Sequence, residues 1–261
     1  MVQTLKFLIS GLLGALVLNI PVYSWVFVKQ WGFAQGFPLG WLGNGLLYMG
    51  TFFHEIGHTV AAWFYGFPTL PMFDFQHGGG MAVWHNGGYD LIVILAAVYA
   101  AMACGMYYFR DVPLIRNSLI VLFILNIATV WSETIKFNII DFMGPAAECL
   151  IGGFLVFRAV FNLAPRGALE RFLNALIGFG MLIAVFIESW ALLDNGVYRA
   201  VYYQQKGREG WGDFDKIARR TEWISFDGVI GLWGGLGFFC LLLPFVLFAI
   251  NSQKELDNHK M

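Results

Sequence analysis

The stretch LGWLGNGLLYMGTFFHEIGHTVAAWFYGF, residues 39 to 67, decides the fold class of this chain. Apart from His54, Glu55 and His58 it contains only apolar residues, glycine and uncharged polar residues. It is longer than the roughly 20 residues that a helix needs to cross a bilayer. Because ionisable groups are costly inside a membrane, these three side chains are expected to face the helix bundle and to form a functional site.

Residues His54-Glu55-Ile56-Gly57-His58 form an H-E-x-x-H pattern. On a helix, side chains four residues apart lie on one face, so the two imidazoles can hold one zinc ion while Glu55 serves as general base on a metal-bound water. The alternative is a chance match in which neighbouring hydroxyls satisfy the histidines. The cost of burying three such groups without a function favours the metal site.

The composition predicts a multi-pass membrane protein. Of 261 residues, 58% are hydrophobic and 13% are charged, whereas a soluble domain has about 25% charged residues. We expect a single polytopic domain over residues 1–261, in the cytoplasmic (inner) membrane and in contact with membrane lipid. The net charge of −1 gives no indication of a nucleic-acid partner.

Seven apolar stretches predict an all-α membrane protein with about seven transmembrane helices. They cover residues 5–28, 39–67, 91–109, 112–130, 139–161, 172–193 and 229–250.

Two long connections carry further structure. The first, Pro68–Asp90, contains Gly78-Gly79-Gly80 between residues with β propensity, which predicts a β-hairpin or re-entrant loop packed near the motif helix. The second, Asp194–Ser225, mixes Phe214, Ile217 and other large apolar residues with charges, which predicts an interfacial helix before the last span.

Two histidines do not complete a catalytic zinc site, which usually has three protein ligands and an open position. The sequence offers Asp227 or Glu148 as alternative third ligands. Asp227 lies where the last span begins, and free backbone N–H groups at a helix start can fix a carboxylate there. Glu148 lies deep in the fifth span, where a buried carboxylate needs a partner.

Four further residues are weaker candidates for the site. Asp141 is more simply a helix cap, and Glu188 lies near the end of the sixth span, where water can solvate it. His77 and His85 lie in the glycine-rich loop, where a hydrogen-bonded surface histidine is the simpler interpretation and contact with the metal or a substrate is the alternative.

Several pieces of the chain resemble site-2-type intramembrane zinc metalloproteases, nearest the M50B-like peptidases. They are residues 53–62 around the H-E-x-x-H motif, the glycine-rich segment 73–81, the Asp-Gly pair in 226–228, and residues 144–148, where glutamate replaces the family's asparagine. The Asn-x-x-Pro part of the family's third-ligand motif is missing.

The resemblance implies a zinc-dependent endopeptidase that cuts a transmembrane or membrane-proximal protein substrate. It also implies that the strand containing Gly78, Gly79 and Gly80 binds an extended substrate segment. The alternative is a catalytically silent M50-like subunit or assembly factor packed in a larger membrane complex. A transporter has little support because no internal repeat is visible.

Overall fold

A computed structural model describes residues 2–27, 38–74, 79–84, 90–205 and 212–258. Within these residues the chain forms nine helices and one two-stranded sheet. The elements are α1 (Val2–Phe27), α2 (Pro38–Phe64), β1 (Thr69–Asp74), β2 (Gly79–Trp84), α3 (Asp90–Tyr108), α4 (Pro113–Thr129), α5 (Glu133–Val160), α6 (Ala168–Asp194), α7 (Gly196–Gln205), α8 (Asp213–Arg220) and α9 (Phe226–Asn258).

Each of the seven apolar stretches coincides with one of the long helices. Among the described residues, only α5, α6 and α9 are both long and apolar enough to cross a membrane by length and composition. Shorter apolar segments lie in α1, α3 and α4. α2 does not reach the same hydropathy because its glycines, histidines and glutamate replace apolar side chains.

Helix α5 lies at the centre of the bundle, in contact with α2, α6, α8 and α9. Its first turn is capped by Ser132, whose side chain accepts a hydrogen bond from the Ile135 N–H, an arrangement that satisfies one of the free donors at a helix start. The main core cluster joins α5, α6 and α9 through apolar side chains such as Val156, Leu182 and Trp233.

The directions of the helices follow from contacts near their ends. Arg171 at the start of α6 donates to the Ala159 carbonyl at the end of α5 and to Thr4 at the start of α1. The rings of Phe161 and Phe248 also meet at this end of the bundle. Contacts of α8 are made with the opposite end of α5, near its first turns.

Helices α3 and α4 attach to the end of α2 through a polar contact. The Asn126 side chain is fully buried, accepts a hydrogen bond from the Tyr99 hydroxyl, and donates one to the Phe64 carbonyl. Asn126 is the only buried residue of α4, so this helix is peripheral to the bundle.

Strands β1 and β2 pair antiparallel, in the register Thr69 to Trp84 through Asp74 to Gly79. The Trp63 indole donates to the Thr69 carbonyl at 2.7 Å, and the Phe52 and Phe73 rings stack with centroids 5.1 Å apart. The ribbon therefore folds back along α2 and brings β1 level with the motif. Residues 75–78, which include the predicted reversal at Gly78, lie outside the described residues.

The connection for which an interfacial helix is predicted contains two helices, α7 and α8, among its described residues. Helix α8 turns its apolar face to the protein core, with Phe214 and Ile217 both 6% exposed. The acidic residues of α8 lie in its first turn and its arginines in the last, as the helix dipole favours. The helix covers one end of the bundle because Phe214 packs on Trp233 of α9.

Candidate metal centre

The two motif histidines both direct Nε2 toward Asp213, while Nδ1 of each ring contacts another group. His54 Nδ1 lies 2.6 Å from Glu148 Oε1, and His58 Nδ1 lies 2.8 Å from the carbonyl oxygen of Ile140. A carbonyl or an ionised carboxylate only accepts, so each Nδ1 carries the proton and donates it. Each Nε2 then faces Asp213, and it is the ring nitrogen that would bind a metal once its own proton is released.

Asp213, in the first turn of α8, completes the group. Its Oδ2 lies 3.0 Å from His54 Nε2 and 3.3 Å from His58 Nε2. Burial on its own would raise the pKa of the Asp213 carboxyl, but the two histidines outweigh burial and hold that pKa well below its usual range. Asp213 is therefore an anion, as a carboxylate ligand must be.

The two distances from Asp213 Oδ2 to the histidine Nε2 atoms match the spacing around a shared metal. A tetrahedral site with ligand bonds of about 2.0–2.2 Å places its ligand atoms roughly 3.3 Å apart. Ligand atoms of His54, His58 and Asp213 all lie within 4.8 Å of one another. Two imidazolium rings with centroids 4.7 Å apart would repel each other, whereas one cation satisfies both Nε2 atoms and the carboxylate together.

Glycines keep the space beside the histidines open. A Cβ at Gly144 of α5 would lie 2.2 Å from His58 Nε2 and 2.8 Å from His54 Nε2. Within the motif, a Cβ at Gly57 would lie 2.1 Å from the carbonyl oxygen of Met143. Any larger residue at either position would displace α5 or occupy the space between the rings.

Glu55 is buried, with 5% of its surface exposed, and His58 is 6% exposed. His54 is partly buried. The motif side chains thus face protein and not lipid, as the cost of exposing them to hydrocarbon predicts.

The two candidate third ligands have other partners. Asp227 is 57% exposed at the start of α9 and forms an ion pair with Arg199, so the structure does not bring it to the histidines. Glu148 approaches His54 but at Nδ1, the ring nitrogen turned away from Asp213. Its position is that of a residue that orients a ligand.

Two of the weaker candidates also have other partners. Asp141 pairs with Arg220, and Glu188 accepts a hydrogen bond from Tyr23. Gly79 and Gly80 lie on β2, paired with Asp74 and Phe73. His77 and His85 lie outside the described residues.

Sequence reasoning missed Asp213 because it stands in a charged connection with no metal-ligand spacing to the motif. One signal was available: Asp213 and Ile217 lie four residues apart and so share a helix face, and Phe214 and Ile217 are the buried residues of α8. An acidic residue on the inward face of an amphipathic helix indicates a ligand more strongly than one at an exposed helix start.

The chain matches no protein-family model, no curated protein and no solved structure. The chemistry of the site is therefore inferred from its own geometry.

Proposed function

We propose that this chain is a multi-pass protein of the cytoplasmic membrane that acts as an intramembrane zinc-dependent endopeptidase. The observation that carries the proposal is the convergence of two Nε2 atoms on Asp213 while both Nδ1 atoms are held by acceptors. Imidazole nitrogens with one carboxylate are a donor set that suits zinc and leaves one tetrahedral position open.

Each residue has a distinct role in this proposal. His54, His58 and Asp213 would hold the metal, and Glu148 and the Ile140 carbonyl fix the orientation of the two rings. Zinc held there would lower the pKa of a bound water and polarise the scissile carbonyl. Glu55 accepts the proton of the attacking water and donates it to the leaving amine nitrogen.

The ribbon beside α2 supports a peptide as substrate. Among the described residues the sheet has only two strands, so each has one edge without a strand neighbour. An extended substrate segment can pair with such an edge through its backbone. A membrane-embedded or membrane-proximal protein fits this mode because a transmembrane helix must unwind before its peptide bonds can be attacked.

Metal analysis of the purified chain tests the ligand set. The wild type is expected to retain about one zinc per chain, and His54→Ala and Asp213→Asn are expected to lose it. Asp227→Asn is the matched control, because it neutralises an aspartate that pairs with Arg199 instead. Full zinc occupancy in Asp213→Asn would overturn the proposal.

Glu55→Gln separates an enzyme from a catalytically silent subunit. This change removes the base but no ligand, so zinc and fold should remain while cleavage of a single-span model peptide stops. A wild-type chain that binds zinc but cleaves no more of the peptide than Glu55→Gln does would indicate the silent subunit.

A further inference from the structure

Asp213 reaches the site from a helix of only eight residues, whereas both histidines stand on the 27-residue helix α2. Two kinds of contact hold this short helix. The first is apolar: the ring of Phe214 packs on that of Trp233, with centroids 5.1 Å apart, and Ile217 is buried beside it. Apolar packing is non-directional, so it fixes which face turns inward but not the position of one carboxylate.

The second kind of contact is polar and directional, at the far end of α8. Arg220 forms an ion pair with Asp141 and donates from Nη1 to the Asn138 side-chain oxygen at 3.0 Å. The Asn138 amide in turn donates to the hydroxyl of Thr221. These bonds join the end of α8 to the second turn of α5.

The same turn of α5 orients a histidine. Asp141 directly follows Ile140, whose carbonyl accepts the hydrogen bond from His58 Nδ1.

We propose that Arg220, Asp141 and Asn138 form a latch that positions Asp213 at the metal. The three are positioning residues that act through Asp213, and the inference rests on the proposed function in taking Asp213 as a ligand. The latch makes the third ligand a docked element, because its polar contacts join the end of α8 to α5.

Cobalt titration of the purified, metal-stripped chain tests the latch, with affinity and visible absorption as readouts. The double variant Asp141→Asn/Arg220→Met removes both charges together, so no buried charge is left unpaired. We expect cobalt affinity about 10–100-fold below that of the wild type, the usual cost of losing a partner that orients a ligand. Arg219→Met is the control, since it removes an exposed arginine from the same turn.

A second measurement distinguishes positioning from a general loss of stability. In the Asp213→Asn background, the latch substitutions should change cobalt affinity no further, because residues that act through one group are not additive. An equal loss in both backgrounds, or wild-type affinity in the folded double variant, would overturn the latch.

Asn138→Ala covers the case in which the double variant fails to fold. It keeps the ion pair, and a several-fold loss of cobalt affinity is expected; unchanged affinity would overturn the proposal. Failure of the latch is distinct from failure of the proposed function. If Asp213→Asn itself binds cobalt as the wild type does, the ligand set is wrong, whereas a loss confined to Asp213→Asn leaves the ligand set intact and removes the latch.

Discussion

Helices α2 and α5 meet through glycines and backbone, whereas α8 meets the bundle through a few side chains. At the first contact Gly57 lies against the Met143 carbonyl, and Gly144 lies against the two imidazoles. At the second, Phe214 and the Arg220 ion pair carry the attachment. The site thus has two halves. The histidine half, on α2 and α5, has almost no freedom to adjust, whereas the carboxylate half, on α8, is docked onto the bundle. The two halves should respond differently to the same perturbation.

The largest effect is expected from Gly57→Ala, which tests the close contact. The new methyl group would lie 2.1 Å from the Met143 oxygen and 2.6 Å from the Ala147 Cβ. Overpacking typically costs about 1–3 kcal/mol and more where backbone must move, so both stability and metal binding should fall. Thermal unfolding and zinc content are the measurements.

Gly45→Ala is its control on the same helix, since a Cβ there meets nothing within 4 Å. Alanine is about 1 kcal/mol more favourable than glycine in a helix interior, so this variant should be as stable as the wild type or more so. Equal behaviour of the two variants would contradict the close contact between α2 and α5.

Removal of the metal should act mainly on the docked half. A ligand present at 100 times its Kd stabilises the folded state by about 2.7 kcal/mol, so chelation should lower the melting temperature. Hydrogen exchange should rise in α8, residues 213–220, while α2 and α5 stay protected. A uniform rise across the three helices would show that the two halves form one unit.

Glu148→Ala is expected to have an intermediate effect. It removes the acceptor that holds His54 Nδ1. Loss of a partner that orients a ligand usually lowers metal affinity by about 10–100-fold. Glu148→Gln keeps a side-chain acceptor and should lose less. Zinc affinity by competition with a chelating dye measures both, and an alanine variant with unchanged affinity would contradict the orienting role.

The smallest effect is expected from Asp227→Asn. Its ion pair with Arg199 is partly solvent-exposed, and such pairs contribute about 0–1 kcal/mol. Stability should change by no more than that, and zinc content should stay at the wild-type level. A loss of zinc in this variant would indicate that Asp227 is a metal ligand.

The same comparison between the two halves of the site shows which features can be predicted from the sequence. The spacing of His54 and His58 is a property of one helix, and the apolar stretches are local, so the motif and the long helices can be inferred from residues alone. Antiparallel strands follow equally from the β propensity on both sides of Gly78-Gly79-Gly80.

The carboxylate half is set by tertiary contacts. Whether Asp213 or Asp227 approaches the histidines depends on which aspartate pairs with an arginine and on how Phe214 packs against α9. Both residues stand near helix starts, and the one local signal that separates them is the helix face that Asp213 shares with the buried Ile217. The number of spans is not fixed by apolar runs either, because the histidines and the glutamate that form the site also lower the hydropathy of α2.

The contacts at Arg171 have a topological consequence. Thr4 of α1 and Phe248 of α9 both lie at the end of the bundle where α5 finishes, and α8 lies at the end where α5 starts. Any segment attached ahead of α1 or behind α9 would therefore emerge on the face opposite to Asp213. Reporter domains fused ahead of α1 and behind α9 should lie on the same side of the membrane in a protease-protection assay. A label at Trp223, which is 86% exposed, should lie on the opposite side.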